Sequence, residues 1–408
     1  MTSRGPGASN YAASMAKHPG YQDPLRGLRT VSEGRRTKLA ELINLIAAKG
    51  AMSRAQVMAE LGWSRTLVTR VATLLLDEGV IGEEVAAEPG RRGRPTAQLR
   101  LVVGRAATIG IDFGYRSVRT ILASVDHTIL ASDERELGDD YGPDEALASA
   151  RDMIEDMLAS AAIEWSDIVG AGIAISGPID YENNAPSLHS LLPHWSGDVV
   201  ARASEYLPCP IVLGNDTRLA CYAELLWGAG RDFDSFLYLK LHSGVGGAYV
   251  LNRRIVSGAT GVAGEFGHMV LVPGGERCRC GGRGCLETVV GVPAIMRGLS
   301  VSYGHTPEWK EVMRRLAAGE AGTRAVFAEA YESIGRATAS LCNIIDPGAV
   351  ILGGALSRAS RDIEDRVEEG IRAHALPACA DTPVRVGALG RGAAALGAVG
   401  AVLMKGIV

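Results

Sequence analysis

One stretch limits what this chain can fold into more than any other. Residues 265–287 read E-F-G-H-M-V-L-V-P-G-G-E-R-C-R-C-G-G-R-G-C-L-E, with His268, Cys278, Cys280 and Cys285 inside eighteen residues and glycines at 274, 275, 281, 282 and 284 between them. Three near-adjacent cysteines converge on one point only if the backbone turns sharply, and glycine permits the positive φ angles such turns need. One imidazole and three thiolates with no open position are the donor set of a closed tetrahedral zinc site. A disulfide pair with a spectator histidine is the alternative. Clustered cysteines in a chain without an export signal favour the metal, and the first thirty residues carry no apolar h-region. The expectation is a cytoplasmic protein holding one structural Zn2+ per chain.

The 408 residues are 47% hydrophobic, with no apolar run of the ~18 residues that would cross a bilayer. That is enough for two or three domains and no membrane span. Cys209, Cys221, Cys342 and Cys379 stand singly in apolar contexts and read as buried thiols. The net charge of −4 conceals an asymmetry: residues 1–104 hold 15 Lys+Arg against 9 Asp+Glu, or +6, leaving 27 against 37, or −10, for the rest. A basic module for a polyanion on an acidic body is the expectation.

Residues 1–33, rich in Gly, Ser and Pro without a period, read as a flexible arm. From Arg35, Leu39, Leu42, Ile43 and Ile46 repeat at helical spacing up to Gly50, predicting a helix of about thirteen residues. Ser53 caps a second helix with Val57, Met58 and Leu61, ended by Gly62; Ser64 caps a third with Leu67, Val68, Val71, Leu74 and Leu75 facing inward. Three short helices with a tight connection at Leu61-Gly62-Trp63 are the layout of a helix-turn-helix. Arg65, Thr66, Thr69 and Arg70 lie on the outward face of the third helix, beside the Ser64 cap. Arginine can donate two hydrogen bonds to guanine, and threonine can meet a thymine methyl or a phosphate. Val80, Ile81 and Val85, then R-R-G-R-P at 91–95, then Ala97-Gln-Leu-Arg-Leu predict a hairpin wing whose tip offers Arg91, Arg92 and Arg94 to a minor groove or to phosphates. Together these residues form the candidate surface for double-stranded DNA.

The body opens with two strands, Thr108–Phe113 and Val118–Ala123, joined at a turn with Asp112 and Gly114. A helix over 143–162 and a buried strand from Ile168 follow. Asn215-Asp216 ends a further strand and begins a helix, Leu237-Tyr-Leu-Lys-Leu runs into His242-Ser-Gly-Val-Gly-Gly, and Asp346-Pro-Gly-Ala-Val-Ile-Leu-Gly-Gly makes another strand and turn.

E-x-G-H, nine residues, C-x-C-G-x-x-G-C-x-E resembles the signature of the ROK family (repressors, open reading frames and kinases) at every fixed position. The segment from S-R-A-Q-V through G-R-P is similar to the winged helix of the family's repressors, which its kinases lack. The resemblance implies an α/β chain: an N-terminal winged helix-turn-helix followed by a two-lobed actin-like (ribonuclease H-like) sugar-kinase fold. The corresponding division is an arm at 1–33, a DNA-binding domain at 35–104, a first lobe at 105–225 plus 390–408, and a second lobe with the zinc loop at 226–389. It further implies that Glu265, His268 and Glu287 face a sugar, joined by Asn215 and by Asp216, the position at which the kinases keep their general base. The phosphate loops depart from the kinase pattern: D-x-G-G-T has Tyr115 and Arg116 at its last two positions, and the first glycine of G-T-G-x-G is His242. On the sugar side Leu191-Leu192 precede Pro193 and Trp195 where the kinases carry Asn-Leu. Two functions compete on this basis. One is a sugar-responsive repressor, taking a sugar or sugar phosphate as effector and acting as a homodimer or a pair of dimers on palindromic DNA. The other is a zinc-containing, ATP-dependent sugar kinase.

Overall fold

The computed structural model describes residues 38–403 apart from 40, 44, 47–48, 78–79, 86–96, 103–105, 139, 181–182, 187–191 and 193. The expectations for the arm, for Arg91, Arg92 and Arg94, and for Leu191 and Pro193 fall outside the described residues.

The N-terminal elements follow the expected order. Helical residues between Lys38 and Lys49 are followed by a short strand β1 (Met52–Ser53), helices α1 (Arg54–Leu61) and α2 (Arg65–Asp77), and the pair β2 (Ile81–Val85) and β3 (Ala97–Leu101). Ser53 begins α1 through a capping box: its hydroxyl accepts the Gln56 N–H at 3.3 Å while the Gln56 side chain accepts the Ser53 N–H at 2.8 Å. Gly62 ends the helix with φ +64°, a left-handed cap that costs a residue without Cβ little. The Ser64 hydroxyl accepts the Leu67 N–H at 3.3 Å, so α2 starts where its sequence placed the cap. Leu39, Leu42, Ile46, Val57, Trp63, Val68, Val71, Leu75, Ile81 and Leu99 form one core. β1 pairs antiparallel with β3, giving the sheet order β1-β3-β2. A two-residue strand has too short a period to read from sequence.

The body begins with β4 (Ala107–Phe113), β5 (Ser117–Ser124) and β6 (Ile129–Glu136), followed by α3 (Pro143–Ala161) and β7 (Ile168–Ile175). A small hairpin β8 (Ile179–Asp180) and β9 (Ala185–Pro186), a short helix α4 (Val199–Ala203) and β10 (Ile211–Asn215) follow. Next come α5 (Asp216–Trp227), β11 (Phe236–Leu241), β12 (Val245–Leu251) and β13 (Arg254–Ile255), then α6 (Leu286–Val290), α7 (Val292–Tyr303), α8 (Trp309–Ala317) and α9 (Ala321–Ile345). β14 (Val350–Gly353), α10 (Ile363–His374), β15 (Val384–Val386) and α11 (Ala393–Leu403) complete the order.

These elements fall into two compact units. The first takes residues up to 174, 198–214 and 398–407; the second takes 175–197 and 215–397. The sheet of the first runs β10-β7-β4-β5-β6, with β4, β5 and β6 antiparallel neighbours. Gly172 lets the last helix lie close on β7, because a Cβ there would stand 2.1 Å from the Ala398 carbonyl oxygen. The sheet of the second runs β13-β12-β11-β14-β15, in which β11 and β12 form an antiparallel hairpin while β14 and β15 run parallel. α9 and α10 touch backbone to backbone through Gly335 and Gly370, where an added Cβ would meet the opposing Cα at under 3 Å. Apolar faces of α6, α7, α9 and α10 close over the sheet around Leu239, Leu286, Phe327, Ile334 and Val367. Among the described residues no helix is long and apolar enough to cross a membrane.

Candidate functional site

All five residues expected to face a sugar lie in the second unit. Asn215 closes β10 and caps α5: its side-chain oxygen accepts the Arg218 N–H at 3.0 Å, and its amide donates to the Gly177 carbonyl at 2.8 Å. That double use fixes the side chain and ties the loop after β7 to the head of α5. Asp216, next along, receives the Lys240 ammonium at 2.6 Å on Oδ2. Lys240 stands near the end of β11, and Gly246 permits the close approach of β12 to the head of α5, since a Cβ there would lie 2.3 Å from the Thr217 hydroxyl.

Arg218 is 5% exposed and donates to the carbonyls of Ser257 and Ala263, at 2.9 and 3.2 Å. It thereby pins the loop that leads into Glu265. Neither Lys240 nor Arg218 was singled out from the sequence. The signal for Arg218 was its place in N-D-T-R, where the kinases carry N-D-A-N; a lone lysine in a strand carries no such mark.

The cysteine loop is a tightened hairpin. Leu271 donates to Gly284, Gly284 to Glu276, and Cys278 to Gly282, at 2.8, 2.8 and 2.9 Å. Gly284, at φ +71°, has no room for a side chain because a Cβ would stand 1.6 Å from the Val272 carbonyl oxygen. This wrapping brings His268, Cys278, Cys280 and Cys285 together with all four donor atoms within 4.8 Å of one another. Sulfurs held at about 2.3 Å by one tetrahedral zinc stand about 3.8 Å apart; Cys280 and Cys285 are 3.7 Å apart, and Cys278 is 3.5 Å from His268 Nδ1. The residues fit the ion. Bound there, it would be structural, fastening the loop with no open position for chemistry. Burial pushes the Cys285 thiol up to about 12 and Cys278 upward, so metal uptake displaces protons from them.

The other ring nitrogen of His268 faces Glu265, Nε2 to Oε2 at 3.8 Å. Glu265 remains 34% exposed, and burial of the rest of the group raises its carboxyl above the usual carboxylate range. Glu287 is placed differently. At 9% exposure, its two oxygens accept a fork from Arg279 at 2.7 and 3.1 Å and the Val245 N–H at 3.0 Å. It is a clamp between the cysteine loop and the start of β12, with both oxygens engaged by the protein.

The turns that resemble phosphate loops carry bulk. In the first unit, Tyr115 is 49% exposed, Arg116 is exposed beside it, and the Tyr141 hydroxyl donates to the Gly114 carbonyl. In the second, His242 donates its N–H to Gly244 at 3.0 Å and its ring lies 3.1 Å from the Ser243 hydroxyl. His242 keeps an exposed edge, yet desolvation, then the positive charges of Lys240 and Arg391, push its imidazole down to about 4. Buried Glu224, in α5, accepts the N–H groups of Ala229, Ala388 and Leu389 at 2.8, 3.0 and 3.0 Å, fixing the turn that bears Arg391. At the N-terminal module, Ser64, Arg65, Thr66, Thr69 and Arg70 are all exposed at the head of α2.

A paired-unit α/β body with Asn-Asp at a helix head and a histidine–cysteine loop beside it defines the class of the actin-like sugar kinases and their regulator relatives. Residues 108–405 match the ROK family, and the chain belongs to it. It is similar to a glucokinase from Halalkalibacterium halodurans, 27% identical over 71% of this chain and 92% of that one. A xylose repressor from Bacillus spizizenii is 22% identical over 87% of this chain and 92% of the repressor. Among solved structures, a ROK family transcriptional regulator described as a homologue of the E. coli MLC protein shares the fold, with a TM-score of 0.77, 23% identity, and 92% and 98% of the two chains covered.

Proposed function

We propose that the chain is a sugar-responsive transcriptional regulator, acting as a repressor, that grips operator DNA through its N-terminal winged helix and takes a sugar or sugar derivative among Asn215, Asp216, Glu265 and His268. The observation that carries this reading is the module before residue 108. The family match begins at 108, yet ahead of it stand a capped helix pair, a second helix with Arg65, Thr66, Thr69 and Arg70 exposed, and a strand pair. The xylose repressor relative reaches across 87% of the chain, the glucokinase across 71%. Ser64, Arg65, Thr66, Thr69 and Arg70 would meet the major groove, and Arg91, Arg92 and Arg94 the flanking minor groove or the phosphates.

The chain divides, on this reading, into an arm at 1–33, the DNA-binding domain at 35–104, a first lobe at 105–225 plus 390–408 and a second lobe at 226–389. A homodimer or pair of dimers would span the two halves of a palindrome. Zinc held by His268, Cys278, Cys280 and Cys285 stiffens the loop that positions Glu265. The kinase reading keeps one support, the carboxylate of Asp216. It is opposed by Lys240 on that carboxylate and by the bulk in both phosphate-type turns.

The test is selection of the full chain against random duplex DNA. Enrichment of a two-fold symmetric sequence, bound with a steep dependence on salt, is expected. Recovery of no common sequence would contradict the regulator reading.

A further inference from the structure

The module ahead of residue 108 is basic as a whole, yet most of its described cations are already held. Lys38 meets Glu41 at 2.8 Å and lies 4.9 Å from the centre of the Trp63 ring, Lys49 meets Glu60 at 2.6 Å, and Arg100 on β3 meets Glu84 on β2 at 3.1 Å. Arg54, the first residue of α1, pairs with Glu83 on β2. Among the described residues of the module this leaves two cations without a carboxylate, Arg65 and Arg70, both exposed at the head of α2.

Stability does not account for the four pairs, because their side chains are 28–65% exposed and such ion pairs contribute about 0–1 kcal/mol. What they change is the field. A carboxylate beside a cation cancels its charge for anything farther off than the Debye length, about 8 Å at physiological ionic strength. Sequence-independent binding comes from cations that neutralise phosphates, and a held cation must first give up its partner. The two uncompensated arginines stand instead where base edges would be met, so the free charge of this surface is reserved for contacts that depend on sequence.

We infer that Glu60, Glu83 and Glu84 are specificity residues of the DNA module: by holding Lys49, Arg54 and Arg100 they weaken its grip on duplex of the wrong sequence and widen the gap between operator and other DNA. This rests on the regulator reading. A genome offers about 10⁶–10⁹ competing sites, so lowering affinity for them raises occupancy of the operator as surely as tightening the operator complex does. Glu83 acts across elements, joining the wing strand β2 to the start of α1, while Glu84 and Arg100 lie on neighbouring strands, in the register Gly82↔Arg100 and Glu84↔Gln98.

The test measures binding of the full chain to its selected operator and to an unrelated duplex of the same length, at one salt concentration. The proteins are parent, Glu83→Gln, the triple variant Glu60→Gln/Glu83→Gln/Glu84→Gln, the pair variant Arg54→Gln/Glu83→Gln, and Asp77→Asn, which removes an exposed carboxylate that holds no cation among the described residues. Glu83→Gln is expected to raise affinity for the unrelated duplex about threefold and the triple variant about tenfold, with a smaller rise on operator, whose register is fixed by base contacts. Removing Arg54 as well returns the unrelated duplex to the parent's affinity, and Asp77→Asn changes it by less than Glu83→Gln does. The inference is overturned if the ratio of operator to unrelated affinity is unmoved or rises in the triple variant, if Arg54→Gln does not reverse Glu83→Gln, or if Asp77→Asn matches Glu83→Gln. An unmoved ratio in a parent that grips its operator leaves the regulator reading standing; a parent that binds no duplex strikes that reading and this inference with it.

Discussion

Lys240 Nζ lies 2.6 Å from Oδ2 of Asp216, both side chains largely sheltered, at the position where the family's kinases keep a general base. A base must accept the proton of an attacking hydroxyl in the transition state, and an ammonium already on that oxygen occupies it. With Tyr115 and Arg116 in one phosphate-type turn and His242 in the other, the purified chain is expected to phosphorylate glucose, mannose, N-acetylglucosamine and xylose with ATP well below ~1 s⁻¹, a modest kinase turnover. A coupled assay reaching that rate on any of them would reinstate the kinase reading.

The metal centre predicts a stoichiometry. Freshly purified protein should hold one zinc per chain by mass spectrometry of the metal. Cys280→Ser should lose it together with effector binding, because Glu265 and the Arg279–Glu287 clamp ride on the same loop. Since thiols must shed protons to bind, retention weakens as pH falls. Substoichiometric zinc in fresh parent protein would refute the assignment.

Gly284→Ala isolates the backbone from the ligands. Its Cβ would stand 1.6 Å from the Val272 carbonyl oxygen at a φ of +71°. The change removes no donor, yet a loss of about 1–3 kcal/mol of stability is expected, with a lower melting temperature and weaker zinc retention. A melting curve and zinc content equal to the parent's would show that the loop can relax.

Much of this was legible in the residues because local chemistry sets it. The Ser53 and Ser64 caps, the Gly62 stop, the turn at Gly114 and the His268–Cys285 cluster all depend on neighbours close in sequence, and the structure places each as read. What escaped depends on distant partners. Lys240 meets Asp216 only through the pairing of β11 beside α5, and Arg218 reaches carbonyls 39 and 45 residues away. The fork on Glu287 escaped likewise, because the resemblance carries no information about Arg279, whose side chain folds back onto it.

The regulator reading predicts base-specific losses. Arg65 and Arg70 are exposed at the head of α2. Either Arg→Ala change should cost about 1–3 kcal/mol, concentrated at one operator position, whereas Arg92→Ala and Arg94→Ala should cost most on A·T-rich flanks. Binding measured across single-base variants of the selected operator decides it; equal losses on all sequences would reduce these arginines to phosphate contacts.

The central claim is that ligand binding at Glu265 and Asp216 governs the grip on DNA. A ligand changes that grip only by its differential affinity for two arrangements of the protein, typically about 1–3 kcal/mol, or roughly 5- to 150-fold. Operator binding of parent, Glu265→Ala and Asp216→Ala should therefore be titrated by gel shift, with and without the sugar derivative that shifts the parent. The account predicts that both variants hold the operator as tightly as the parent and no longer respond. Variants that keep the full response would place the effector elsewhere and contradict the account.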